Sequence, residues 1–254
     1  MLSTTTVERL RSFNIPGFTQ ALLVHGQQAS ALTFEDRLTL LVDAEYTRRL
    51  NAKAARMLQQ ARIPSSASVE EVDFSVPRSL NKGVFLEVLN GQWLSSGQNI
   101  IVTGPTGVGK TFLSSVITRT LCLNGFHARF QRTHHWCAEL LLLEEKRRIK
   151  QAVAGLRKVP LLVFDEWLRD PVTPAEARLL LDLIDDRYRR LSCMFISQFP
   201  VSAWHARFQD PTLADALLDR ILAHALRFDL QGDSLRKLPL IELKKETSLR
   251  SEKP

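Results

Sequence analysis

The chain has 254 residues, enough for one large domain or two small ones, with a core that needs no disulfide or metal staple. Hydrophobic residues make up 44% and charged ones 24%, which excludes a disordered chain, a collagen and a disulfide scaffold; no apolar run approaches the ~20 residues that cross a bilayer. Lys and Arg number 34 against 27 Asp and Glu, a formal charge of +7, and a basic chain attracts polyanions such as nucleic acid, nucleotides or an anionic membrane.

Met1 to Val7 is polar and lacks the basic-then-apolar pattern of a signal peptide. Cys122, Cys137 and Cys193 lie far apart with no CxxC spacing, which predicts buried, reduced thiols in a cytosolic protein and no cysteine metal site.

The first ~75 residues read as helical. Thr33 is a plausible N-cap with Asp36 three positions on, and Leu38, Leu40, Leu41, Ala44, Tyr46 and Leu50 predict one buried apolar face. A basic stripe follows at Arg48, Arg49, Lys53 and Arg56, with Arg62 beyond; it is either a solvated face or a contact to phosphates or a neighbouring subunit. Ile63 to Ser68 breaks the helix, Phe74 to Arg78 is a second irregular stretch, and the domain boundary is expected here, at 78/79.

From Asn99 onward short apolar strands alternate with helices. Strands are predicted at Asn99–Thr103, Phe126–Gln131, Pro160–Phe164 and Cys193–Ser197, and helices at Phe112–Leu123 and Ala175–Arg190. Continuous apolar strands separated by helices predict an α/β fold, a parallel sheet sandwiched by helices. A further helix is expected to open at Asp210 or Thr212, and the tail after Leu243 is polar.

Between the first strand and its helix stands Gly104-Pro105-Thr106-Gly107-Val108-Gly109-Lys110-Thr111, which fits the P-loop pattern GxxxxGK[ST]. The glycines let the backbone aim its N–H groups into a concavity, and the helix behind adds its positive end. Lys110 places a compact charge on β/γ-phosphates, and Thr111 offers a hydroxyl to Mg²⁺. Such a site needs an acid at the end of a neighbouring strand, and Leu161 to Phe164 leads into Asp165 and Glu166. Asp165 is the candidate Mg²⁺ acid. Glu166 is the candidate residue for polarising an attacking water, which favours an NTPase over a small-molecule kinase.

Phe195-Ile196-Ser197-Gln198 ends another strand, between the P-loop and the Asp165 strand. Its polar end either senses the γ-phosphate or orients water, with Gln198 better suited by reach than Ser197, or it merely begins a loop. Arg220 closes the helix after Asp210; it reads equally as an arginine finger acting in trans or as a salt bridge with Asp219 or Asp215.

The P-loop, the hydrophobic strand ending in Asp165-Glu166, the polar strand end, Asp219-Arg220 and the later Gly232-x-Ser234-x-Arg236 resemble an AAA+ ATPase. Ser197-Gln198-Phe199-Pro200-Val201 through Trp204 and Asp210-Pro211-Thr212-Leu213-Ala214-Asp215 to Arg220 look like the IstB-like group, ATP-binding helpers of insertion-sequence transposition related to the DnaC helicase loaders. Phe34-Glu35-Asp36-Arg37, Leu41-Val42-Asp43-x-Glu45, Arg49-x-Asn51, Ala61-Arg62-Ile63 and Asp73-Phe74 resemble that group too, so the resemblance covers essentially the whole chain.

The resemblance implies a small helical domain at 1–78 and an AAA+ domain at 79–254 with a minimal or absent lid. It implies ATP at Gly104 to Thr111, Mg²⁺ and hydrolysis at Asp165 and Glu166, and an arginine finger at Arg220. Arg236 is similar to the second sensor arginine; the alternative is a basic cap before the tail. Many AAA+ proteins carry Asn where Gln198 stands, which leaves its water-positioning role open. The resemblance further implies a homo-oligomer that assembles on double-stranded DNA when ATP is bound and serves a cognate transposase.

Candidate DNA contacts are Lys146, Arg147, Arg148 and Lys150 with Arg157 and Lys158, or the stripe at Arg48, Arg49, Lys53 and Arg56; either set can be a solvated face. No base-reading motif is present, which predicts backbone contacts with little sequence preference. His134-His135-Trp136 is read as a helix start with a buried Trp136 rather than a stacking platform. The alternatives are a helicase loader acting on single-stranded DNA, whose ATPase core would look alike, and a small-molecule kinase. The latter needs an Arg-rich lid, and Glu166 and the Arg220 helix count against it.

Overall fold

The computed structural model describes residues 3–25, 32–145 and 148–235. The chain divides into two compact units, Met1–Arg56 and the part from Met57 onward. The division falls earlier than the expected 78/79 because Met57, Ala61, Ala67 and Val72 are buried in the core of the second unit.

In the first unit, α1 (Thr4–Ser12) and α2 (Pro16–His25) precede α3 (Phe34–Ala61), which runs on across the division. Thr33 caps α3, its hydroxyl accepting the Asp36 N–H at 3.2 Å. The apolar face expected to be buried on α3 is not: Leu38, Leu40, Tyr46 and Leu50 are all exposed. The buried residue of that stretch is instead polar. Glu45 accepts Gly17 N–H at 2.8 Å and Phe18 N–H at 3.4 Å, so its carboxylate seats the N-terminal end of α2.

The second unit holds a five-stranded sheet, all pairs parallel, in the order β2-β3-β4-β1-β5. The strands are β1 (Ile100–Thr103), β2 (Ala128–Arg132), β3 (Leu161–Asp165), β4 (Ser192–Ser197) and β5 (Leu226–Asp229). β1, β3 and β4 are buried along their whole length, as continuous apolar runs in a covered sheet must be. Alternate residues feed two cores: Ile100, Val102, Val163 and Ile196 on one face, Ile101, Leu162, Phe164 and Phe195 on the other.

Helix α4 (Lys82–Val88) and α5 (Lys110–Leu123) supply the first core. α6 (Thr133–Glu145), α7 (Ile149–Leu156), α8 (Pro174–Arg187) and α9 (Pro211–Leu222) supply the second. α8 opens with a reciprocal Thr173/Glu176 capping box, and α9 is capped by Asp210, which accepts the N–H groups of Thr212 and Leu213. Trp136, in the first turn of α6, is buried. Arg187, 1% exposed, donates to the carbonyls of Leu156, Pro160 and Ser192, tying the end of α8 to the starts of β3 and β4. No described helix is long and apolar enough to cross a membrane.

Candidate nucleotide site

In a parallel sheet every strand ends at the same rim, and β4 lies between β3 and β1. The turns after β1, β3 and β4 therefore meet. They enclose a cavity of about 570 Å³, lined among others by Lys110, Thr111, Asp165, Glu166 and Gln198. This is an ordinary size for a small-molecule site.

The turn after β1 is held from outside as well as inside. Gly107 sits at φ 90°, and a side chain there would strike Ser234; Leu235 N–H donates to Gly107 O at 3.0 Å. Val108 points away from the cavity into the core, and Pro105 and Thr106 are exposed. Lys110 Nζ bonds the carbonyls of Gly104 at 2.7 Å and Pro105 at 2.8 Å, so the ammonium lies along the loop.

Thr111 Oγ1 lies 3.3 Å from both oxygens of Asp165. Burial pushes the Asp165 carboxyl above its ordinary range, partly offset by the Glu166 N–H at 2.9 Å and the Thr111 hydroxyl. A hydroxyl and a single buried carboxylate suit a hard cation that keeps most of its waters, so Thr111 and Asp165 can hold Mg²⁺. No cluster of three His, Cys, Asp or Glu residues with metal-binding geometry occurs among the described residues.

Glu166 adopts φ 55°, a conformation costly for a residue with a Cβ. The turn is held by its surroundings: Trp167, fully buried, donates its backbone N–H to Ile196 O at 2.8 Å and packs its ring edge-on to Phe195, and Arg207 binds the carbonyls of Leu168 and Arg169. Glu166 Oε2 meets Arg169 Nη1 at 2.5 Å, and Arg169 also grips Asp170 through Nε and Nη2. Gln198 Oε1 accepts the Thr106 hydroxyl at 3.3 Å across the cavity mouth. Ser197 is buried and donates to Trp167 O at 2.8 Å, so it serves the turn and does not line the cavity.

Arg220 does not line this cavity. It forms an ion pair with Asp185 of α8 and donates to Ala216 O at 2.5 Å. Its partner is thus neither Asp219 nor Asp215, because the close packing of α8 on α9 brings Asp185 nearer; Asp215 faces His205 at 3.2 Å. Arg236, Lys146 and Arg147 lie outside the described residues.

Within the N-terminal stripe, Arg48 and Arg49 both bind Glu45, at 2.7 Å each, and their hydrogen bonds hold that carboxyl far below the usual carboxylate range. Lys53 and Arg56 are exposed. Arg148 is an exposed residue preceding α7, Lys158 is exposed, and Arg157 pairs with Asp186 at 2.6 Å.

The charged cavity residues Arg169 and Arg78 are not among the sequence-predicted site residues. Arg169 stands three positions from Glu166, a spacing that puts opposite charges within reach and was available as a signal. Arg78, which is 3% exposed, carries no local pattern in its irregular stretch.

Residues 8–240 match the family described as IstB-like ATP binding protein. The chain belongs to that family. This IstB-like chain is 33% identical over 239 residues to the insertion sequence ATP-binding protein y4pL of Sinorhizobium fredii, covering 93% of this chain and 98% of the relative. Its fold is shared with DnaI (TM-score 0.56, 17% identity, 69% of this chain and 93% of the other). The fold is also shared with AMPPCP-bound DnaA from Aquifex aeolicus (TM-score 0.57, 16% identity, 69% and 53%). The five-stranded parallel sheet of the IstB-like chain is accordingly of the fold seen in DnaI and DnaA.

Proposed function

We infer that this chain is an ATPase that assembles on double-stranded DNA in its ATP-bound state and presents target DNA to the transposase of its insertion sequence. The observation that carries this reading is the gathering of Lys110, Thr111, Asp165, Glu166 and Gln198 in one cavity of a chain so similar, over nearly its whole length, to an insertion sequence ATP-binding protein.

The chemistry is hydrolysis of the terminal phosphoanhydride. The water oxygen bonds to the γ-phosphorus as Glu166 accepts its proton, the bond from that phosphorus to the β–γ bridging oxygen breaks, and ADP, which keeps the bridging oxygen, and phosphate leave. Lys110 and the backbone N–H groups of the Gly104–Thr111 turn stabilise the charge that develops on the phosphates. Thr111 and Asp165 would hold Mg²⁺, which when bound would supply Lewis-acid neutralisation of phosphate charge. Gln198 orients the water, and Arg220, which does not line its own cavity, acts on a neighbour's nucleotide in the oligomer. Arg236 is the second sensor. DNA contacts fall to Lys53, Arg56 and Arg148, which are exposed, together with Lys146 and Arg147, since Arg48 and Arg49 are engaged by Glu45.

The helicase-loader reading shares this core, and the likeness to DnaI bears on the fold alone. The insertion-sequence relatives favour the helper. The test is binding to labelled duplex and single-stranded DNA with ATP, ADP and no nucleotide at fixed salt. Duplex binding that is ATP-dependent, sequence-tolerant and lost in Lys110→Ala supports the helper. Preference for single strands supports the loader, and no binding in any state overturns both.

A further inference from the structure

Buried charges are normally paired, because a desolvated ion without a counter-charge is costly. Arg78 breaks that pattern. It is 3% exposed, and the one side-chain hydrogen bond it makes among the described residues runs from Nη2 to a backbone carbonyl, Asp73 O, at 2.8 Å. Its Nε is buried with no partner. The carboxylates nearby are used elsewhere: Asp73 Oδ1 accepts the N–H and hydroxyl of Ser75 at 2.8 and 2.6 Å, and Glu71 Oε1 accepts the Ser68 hydroxyl at 3.3 Å. Burial accordingly drags the guanidinium below its ordinary range, with only the charge of Asp73 opposing.

The place of this buried cation, which has no ion-pair partner at hydrogen-bond distance among the described residues, is specific. Arg78 lines the nucleotide cavity, and a methyl group built on Gly109 would sit 3.1 Å from its Nη1. Gly109 immediately precedes Lys110, at the N-terminal end of α5, where the turn presents its N–H groups. The segment is also fixed: Gln231 N–H donates to Arg78 O at 3.1 Å, and Gly232 packs on Pro77 O, leaving no room for a side chain there. The guanidinium is thus held against the outer flank of the phosphate-binding turn, in a desolvated setting where no carboxylate among the described residues forms an ion pair with it.

We propose that Arg78 is a further nucleotide-binding residue, a buried cation whose counter-charge is the phosphate chain of the bound nucleotide. This rests on the cavity being the ATP site and adds a contact outside the Gly104–Thr111 motif. A guanidinium bonded to a phosphate in a water-poor site adds substantially to affinity, and in the empty protein the same charge is a burden.

The two roles separate in one experiment. Arg78→Met keeps the volume and removes the charge; Arg78→Lys keeps the charge without the fork. Thermal unfolding of the full chain is followed without nucleotide and with ATP, ADP or tripolyphosphate, and dissociation constants are taken by calorimetry. The expected result for Arg78→Met is an unfolding midpoint without nucleotide equal to or above wild type. All three ligands shift it less, and ATP and tripolyphosphate both bind about 10-fold or more weakly. Arg78→Lys falls between.

The opposite pattern, a lower midpoint without nucleotide and unaltered ligand affinity, makes Arg78 a purely structural residue and overturns the proposal. Weaker ATP binding with tripolyphosphate unaffected assigns the side chain to the base or ribose and overturns it as well. A wild-type midpoint that neither ATP nor ADP moves removes the underlying ATP reading, a different failure from a variant that binds as wild type does.

Discussion

Arg169 Nη1 lies 2.5 Å from Glu166 Oε2, so the carboxylate proposed to activate water is tied to its own turn by a residue three positions away. Arg169 is itself held by Asp170, which fixes the guanidinium in the cavity wall. If Glu166 is the base, it must leave this pair before it can abstract a proton. Arg169→Ala is expected to raise single-turnover hydrolysis. An exposed pair is worth roughly 0.2–1 kcal/mol, so the rise is about 1.5- to 5-fold. A fall in rate would mean that Arg169 assists catalysis directly.

Glu166→Gln retains the shape of the turn but removes the base. ATP affinity is expected to stay within about 2-fold while hydrolysis falls by about 10²–10⁴, the usual worth of a general base. Separate measurement of nucleotide binding and phosphate release checks both halves.

Arg220 pairs with Asp185 in the single chain. If the arginine acts on a neighbour's nucleotide, it must leave that pair on assembly. Arg220→Ala is expected to lower hydrolysis by about 10³ or more. The unfolding midpoint of the unassembled protein should move little, since a partly exposed pair contributes about 1 kcal/mol or less. Asp185→Ala should leave hydrolysis intact or raise it. Loss of activity in Asp185→Ala equal to that in Arg220→Ala would point to a structural pair instead.

The Asp165 carboxyl is raised by burial, so the native state holds its proton more tightly than the unfolded chain does. That contribution to stability is complete below the unfolded carboxylate range and is lost as pH rises through the higher folded value. At pH 7.5 the ionised group is therefore a burden on the protein without Mg²⁺. Asp165→Asn is expected to raise the midpoint by a few degrees at pH 7.5, where about 1 kcal/mol corresponds to roughly 2–4 °C. The gain should vanish in acid, and the variant should lose any stabilisation by Mg²⁺ with nucleotide. Melting curves across pH with and without Mg²⁺ read out each part.

The three thiols are buried and free, and burial pushes Cys122 to about 11 and Cys137 to about 12, with Cys193 also raised. Thiolate is scarce near neutral pH at all three. Disulfide reagents at pH 8 are expected to label none of them in the folded protein within minutes and all three in guanidinium.

What the sequence made legible is what depends on local pattern. The apolar runs of β1, β3 and β4, the Gly104–Thr111 turn and the Asp165-Glu166 pair each declare themselves within eight residues or fewer, and the structure brings them to one rim. β5 was missed: Leu226-Arg227-Phe228-Asp229 is a short edge strand with only Phe228 buried, too brief and too polar to show a period. The buried face expected on α3 failed because helical periodicity identifies a stripe but not its partner. Arg78 was invisible because its role comes from segments about 30 and 150 residues further along the chain, at Gly109 and Gln231, and no spacing within its own loop marks it.

The stretch after β5 is also the brace of the phosphate turn, through Leu230 on Thr103, Ser234 against Gly107 and Leu235 on Gly107. Linkage then runs in both directions. A nucleotide that tightens the turn must slow proteolysis and amide exchange at residues 230–235. By the same factor, anything that grips that stretch must change how tightly the nucleotide is held. A partner need never enter the cavity to control it; a hold on the chain just beyond the last strand is a hold on the site.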